Sequence, residues 1–198
     1  MREYTIQKVQ EGFDWRDIPI LNIDHLMWTE KCDVAAWAQI CYDDTALHVH
    51  LRAREAHIRA EETSITGAPC EDSCLEFFFC PIPNDDRYFN IEFNPNGCMY
   101  LGTGRNVMEL IRLLPEDRPI VPRINRTADG WEIAYDVPFA FIRRLFPEFK
   151  AETGIAIRAN CFKCGDKTVQ RHYLAWNRPT SETPAFHRPQ DFGRMIFG

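Results

Sequence analysis

Alternation of apolar and polar residues with period two runs through most of this 198-residue chain, broken by Gly, Pro, Asn or Asp roughly every ten residues. A period of two puts one set of side chains on each face of an extended strand, so the pattern predicts short half-buried strands joined by tight turns. Three hairpins follow. Ala36 to Tyr42 turns through Asp43-Asp44-Thr45 into Ala46 to Arg54. Arg87 to Asn94 turns through Asn94-Pro95-Asn96-Gly97 into Cys98 to Gly102. Arg123 to Thr127 turns through Ala128-Asp129-Gly130 into Trp131 to Val137, and Asn-Gly and Asp-Gly supply the positive φ such turns need. Gly154 to Phe162, Val169 to Trp176 and Phe192 to Phe197 read as further strands. Val107 to Leu114 and Phe139 to Phe146 have the period of short helices, the second entered through Pro138 and stopped by Pro147. The expectation is an all-β, antiparallel β-sandwich, jelly-roll or immunoglobulin-like, with one or two short helices. Residues 1–198 read as a single domain, because a core-type strand follows the Pro-rich stretch 177–189.

Composition narrows the function. Twenty-three Lys+Arg against 29 Asp+Glu give a net charge of −6, which disfavours phosphate-driven binding to nucleic acid or to an anionic membrane. No apolar run reaches the ~18 residues of a membrane span, and residues 1–8 lack a signal-peptide core. As written the chain is expected in the cytoplasm, or outside the cell if a leader has been trimmed. The eight cysteines are scattered, which suits small buried hydrophobes better than a disulfide framework. Cys161-Phe162-Lys163-Cys164 is a lone CxxC with only a loose match in His172 and His187, so no zinc site is read from it.

Sorting strands by face locates the chemistry. In Tyr88–Asn94 the apolar face is Phe89, Ile91 and Phe93, and the other is Tyr88, Asn90, Glu92 and Asn94. In Asp72–Phe79 the polar face carries Cys74 and Glu76; in Ile155–Cys161 it carries Arg158 and Asn160; in Leu47–Ala53 it carries His48, His50, Arg52 and Arg54. Asn and Glu are poor strand formers, yet they recur on these faces. Fixed amides, carboxylates and guanidinium groups suit a polyhydroxylated ligand, whose hydroxyls both donate and accept. The competing reading is an internal network in which Arg52, Arg54, Arg105 or Arg158 neutralises Glu76 or Glu92. An indole covers the apolar face of a sugar ring, and Trp176, at a strand–loop junction, is the candidate wall. Trp15, Trp28, Trp37 and Trp131 read as core or strap residues.

These segments resemble the family 9 carbohydrate-binding modules and their DOMON-like relatives. Trp28 followed by 38–49 is similar to the opening hairpin, Glu71-Asp72-Ser73-Cys74-Leu75-Glu76-Phe77-Phe78 to the Asp-Ser-x-Glu-x-Phe strand, and Tyr88–Asn94 with Gly97 to the next strand and turn. Trp176-Asn177-Arg178-Pro179 and Phe186–Gly193 resemble the closing signature. The resemblance implies a non-catalytic β-sandwich that binds a mono- or oligosaccharide, often beside a polysaccharide-degrading enzyme. Carried over by position, it implies Trp176 as a wall, Glu76 as the strand carboxylate, Asn90, Glu92 and Asn94 as the polar row, and Asn160 facing them. Arg105, Arg158 and His187 complete the candidate ligand set. Where the family has a Trp just before Glu-Asp-Ser this chain has Pro69-Cys70, so Tyr88, Phe186 or His187 is the candidate replacement.

Two alternatives remain open. Glu76 and Glu92 on paired strands could form the carboxylate pair of a glycoside-active enzyme. Haem or metal binding could use His48, His50, His57, His172, His187 and Met residues, as in haem modules among the DOMON-like relatives. No cofactor is required by the main reading; calcium is the one candidate, through Asp43, Asp44, Asp85 and Asp86.

Overall fold

The computed structural model describes residues 1–114 and 119–198. Among the described residues, fourteen strands and one short helix follow in order: β1 (Glu3–Lys8), β2 (Leu21–Ile23), β3 (His25–Leu26), β4 (Ala35–Tyr42), β5 (Ala46–Arg54), β6 (Cys74–Cys80) and β7 (Tyr88–Phe93). Then come β8 (Met99–Gly104), β9 (Ile111–Arg112), β10 (Arg123–Arg126), β11 (Gly130–Pro138), α1 (Phe139–Leu145), β12 (Ala156–Gly165), β13 (His172–Ala175) and β14 (Gly193–Phe197). All three predicted hairpins form, as β4–β5, β7–β8 and β10–β11. At the β7–β8 turn, Gly97 has the predicted positive φ of 80°.

Two layers result. One runs β10-β11-β5-β4, with β2 and the end of β1 beside β4. The other runs β12-β6-β7-β8-β9, with β14 and β13 both against β12. Their inner faces meet in one core: Ile40, Val49, Leu51, Trp131, Ile133 and Tyr135 from the first, Phe77, Phe79, Phe89, Ile91, Phe93 and Met195 from the second. Helix α1 adds Phe139, Phe141 and Ile142 to the same core.

The all-antiparallel expectation is corrected by β1. Its first half lies parallel to β14 (Glu3 opposite Arg194) and its second half parallel to β4 (Gln7 opposite Cys41). The strand thus passes from one layer to the other and joins them. Parallel pairing needs a long connection, here residues 9–34 to β4 and nearly the whole chain to β14, which leaves no local sequence signal. The predicted helix 107–114 is also corrected. Only a single 3-10 turn forms (Val107–Glu109), and Ile111–Arg112 instead pairs with β8 as an edge strand.

Strands β6 and β7 are buried at every position, not on alternate ones. The reason is a second apolar cluster on the outer face of their layer, built from Phe78, Tyr88, Phe162, Tyr173 and Phe192, with Trp28 and Phe186 packed against it. The 177–192 loop supplies the cover, and Phe186 stacks on Phe162 at 4.0 Å and 15°. The polar strand face is therefore roofed, and a ligand reaches it only where the roof is interrupted.

Candidate functional site

Strand register arranges the outer face in rows. Phe162, Glu76, Glu92 and Tyr100 form one row across β12, β6, β7 and β8. Asn160, Phe78, Asn90 and Gly102 form the next, and Cys164 opposes Cys74 on the other side. Glu76 and Glu92 thus stand directly opposite each other, 2% and 6% exposed. Among the described residues neither makes an ion pair; Glu76 Oε1 accepts the Cys164 thiol at 2.9 Å. Burial raises both carboxyl groups above the usual carboxylate range, and the charge of Glu92 pushes Glu76 further. The Asn90 amide is close enough to ease the charge on Glu92, yet neither of its polar atoms makes a well-formed hydrogen bond.

The break in the roof lies over this row. It is a cleft of about 240 Å³ lined by Glu76, Glu92 and Cys164 from the strands, Cys70 before β6, Asp166, Arg171 and Tyr173 around β13, Trp28 after β3, and Pro184–His187 from the cover loop. Trp28 sits in the left-handed region at φ 53°, an uncommon conformation for a bulky residue. It is fixed there by its indole N–H donating to Ser181 O at 2.8 Å and by Phe186 and Tyr173 at 5.3 and 5.6 Å between ring centroids. Arg171 Nε donates to the Tyr173 hydroxyl at 2.7 Å. His187 Nδ1 and Tyr88 Oη share a hydrogen bond of 2.8 Å, and burial lowers the His187 pKa to about 4. A hollow of similar volume beside Asn96, Met99, Leu113 and Val121 has no charged lining residue among the described residues. The outer-face cleft, by contrast, joins acids, a guanidinium group and aromatic rings.

The predicted site residues divide. Glu76, Glu92 and His187 line the cleft, and Asn90 lies on the same face. Trp176 does not line it: the residue is 4% exposed in the central core, against Gly193, where a Cβ would run into the indole. Ala175 takes the outer face beside Phe162, so the next residue must point inward. Asn94 is a turn anchor, its Nδ2 donating to Glu62 O and Asp72 Oδ2 and its Oδ1 accepting from Asn96 and Cys98. Asn160 clamps the backbone of Asn177 through both amide atoms. Arg158 donates to Pro189 O, Asp85 O and Asp86. Arg105 is exposed, its Nη1 3.7 Å from Glu109. Neither pairs with Glu76 or Glu92, so these two arginines do not supply the internal neutralisation of the competing reading.

His48, His50, Arg52 and Arg54 belong to the opposite layer and face away from the cleft. His48 bonds Asp136 and His50 bonds Glu132, while His172 meets Lys163. The calcium candidates are engaged by protein groups: Asp43 by Thr45 and Ala46, Asp44 by Lys8, Asp85 by Arg87, and Asp86 by Arg158. Cys161 and Cys164 face opposite sides of β12, which rules out their joint chelation of one ion. Trp28, Asp166, Arg171 and Tyr173 were not expected at the site. A Trp after a two-residue strand and an Asp in a turn carry no face signal until pairing is known.

An all-β sandwich with acids and aromatic rings gathered in an outer-face cleft has the make-up of a carbohydrate-recognition domain. The sequence comparison places it further: the family model for carbohydrate-binding family 9 matches residues 7–197, and the chain belongs to that family. The family is one of non-catalytic binding modules.

Solved structures share the fold. A candidate carbohydrate-binding protein from Bacteroides uniformis ATCC 8492 superposes with a TM-score of 0.86 at 24% identity, covering 100% of this chain and 99% of that one. A family 9 module from Caldicellulosiruptor kristjanssonii in complex with glucose gives 0.70 at 11% identity, covering 100% and 96%. Its cellotriose complex gives 0.70 at 11%, covering 99% and 93%. No curated protein matches the chain. The DOMON-like part of the resemblance, and with it the haem alternative, receives no support from these comparisons.

Proposed function

We propose that this chain is a non-catalytic carbohydrate-binding module that holds a mono- or oligosaccharide in the outer-face cleft. The observation that carries the reading is the meeting of Glu92, Asp166 and Arg171 with Trp28 and Phe186 around one hollow. The charged groups exchange hydrogen bonds with sugar hydroxyls, and the rings cover the apolar face of the pyranose. Trp28 takes the part that sequence reasoning gave to Trp176, with Phe186 beside it. Affinity is expected at roughly micromolar to millimolar, about −8 to −4 kcal/mol. The glucose and cellotriose bound by the Caldicellulosiruptor module make these the first ligands to try.

Glu76 and Glu92 read as hydroxyl partners and not as a glycosidase pair. A glycosidase sets its two carboxyl groups on either side of the scissile bond. These two share one row of one sheet and address a ligand from the same side. Tryptophan fluorescence tests the proposal: saturable quenching or enhancement by glucose or cellotriose, lost in Trp28→Phe, supports it. An unchanged spectrum across a panel of neutral hexoses and their oligomers, with calorimetry silent as well, overturns it.

A further inference from the structure

At the floor of the cleft, beside Glu76, lie two thiols that sugar recognition does not require. Cys74 and Cys164 oppose each other on β6 and β12, and Glu76 projects from the same face of β6 two residues along. All three are buried, and their thiol and carboxylate donor atoms lie within 4.8 Å of one another. The Cys164 thiol already points at Glu76 Oε1 from 2.9 Å. Adjacent, well-paired strands hold all three donors, so little ordering is left for a ligand to impose.

Glu92, the residue facing Glu76, also faces the cleft. The facing carboxylates lack an ion-paired cation among the described residues, and the buried Asn90 amide one row away, near Glu92, makes no well-formed hydrogen bond. A buried site with several anionic or ionisable donors, and no cation ion-paired to them among the described residues, fits a metal ion, and two thiols select a soft one.

We propose that Cys74, Cys164 and Glu76 form a binding site for a thiophilic divalent ion of the zinc type, with its fourth position open to Glu92 or to water in the cleft. Zinc sits about 2.3 Å from a thiolate and about 2.0–2.2 Å from a carboxylate oxygen. Donors around a tetrahedral ion are then roughly 3.5–4 Å apart, a spacing compatible with the observed cluster. Binding releases the two thiol protons to the buffer, and the metal takes the place of the S–H···O bond. Three fixed protein ligands with a position open to a hollow resemble a site that can accept an outside oxygen, so the metal would lie at the base of the proposed sugar cleft. The proposal does not depend on sugar binding.

Cobalt(II) added to the reduced, chelator-treated full chain tests it. The expected result is one equivalent of cobalt with an intense near-ultraviolet thiolate-to-cobalt band, bleached by zinc. Cys74→Ser and Cys164→Ser, shown by circular dichroism to remain folded, should each lower that band by about half or abolish it. Cys98→Ser, outside the cluster, should leave it intact. Where a serine variant unfolds, thiol-alkylation mapping of the native chain replaces it, with zinc expected to protect Cys74 and Cys164 at least tenfold. No thiolate band, a band that survives the Cys74→Ser/Cys164→Ser double variant, or absent zinc protection overturns the site. So does a Cys74–Cys164 disulfide in metal-free protein that reducing agent opens without restoring cobalt binding. Sugar calorimetry on the same metal-free sample reports the cleft separately.

Discussion

Glu76 and Glu92 face each other across β6 and β7, both almost fully buried, with no counter-ion between them. A pairing of this kind opposes folding: like charges directly across a sheet repel, and each carboxylate loses its water. Its place at the floor of an aromatic-lined cleft gives it a use as a preformed acceptor for hydroxyl groups.

Removing one member should separate stability from binding. In metal-free protein at neutral pH, Glu92→Gln is expected to leave folding stability unchanged or raise it by about 1 kcal/mol, since it relieves a buried like-charge pair. The same change should weaken sugar binding by about 1.5–3 kcal/mol, the worth of a hydrogen bond to a charged group. Urea unfolding and calorimetry on one preparation read the two effects.

The two tryptophans of interest should behave oppositely. Trp176 is in the central core, and Trp176→Ala is expected to cost about 3–5 kcal/mol. Trp28 is half-buried and held by one hydrogen bond and two ring contacts, so Trp28→Ala should cost less than half as much while removing sugar affinity. Chemical denaturation curves of both variants provide the comparison.

A buried ion pair lies between the layers and the cleft. Lys163 is 0% exposed; its Nζ is 3.3 Å from Glu55 Oε1 and donates to Cys164 O and His172 Nε2. Glu55 also accepts from Trp131 Nε1 and Ser73 Oγ. Lys163→Met leaves that carboxylate without its cation and is expected to cost about 3–5 kcal/mol. Adding Glu55→Gln should recover part of the loss, because the buried charge goes with it. A double-mutant cycle by urea unfolding gives the coupling.

His172 sets a pH dependence of known sign. Burial first, then the neighbouring Lys163 charge, lowers its pKa from 6.5 to about 4, and the neutral ring accepts from Lys163. The unfolded chain takes up the proton first as pH falls. The His172 contribution is therefore complete above about pH 6.5 and is lost progressively down to about pH 4, up to about 3 kcal/mol in all. His172→Gln should flatten the slope of stability against pH in that window; an equal slope in wild type and variant contradicts the assignment.

Much of this architecture was legible in the sequence, and the gaps have a common cause. Alternation and turn chemistry located the β4–β5, β7–β8 and β10–β11 hairpins and put Glu76 and Glu92 on one face, because those signals act within a dozen residues. Which layer a strand joins is decided by distant partners. His48 and His50 alternate as clearly as Asn90 and Glu92, yet they face the other way, since β5 belongs to the other layer. β1 could not be read as the bridge between layers, because its partners β14 and β4 are set by the closed fold. Trp176 was placed at the site from its strand–loop junction, and only the Phe162–Ala175 register turns it inward. The second apolar cluster, which hides the polar face except at the cleft, depends on Phe186 and Phe192 in a loop with no periodicity.

The central claim is tested most directly by titration calorimetry of the native chain with glucose and with cellotriose, repeated on Trp28→Ala. Saturable one-site heat in the micromolar-to-millimolar range, abolished by that substitution in a protein that remains folded, is the predicted result. Binding of equal strength in the variant, or no heat with neutral sugars of either length, contradicts the account.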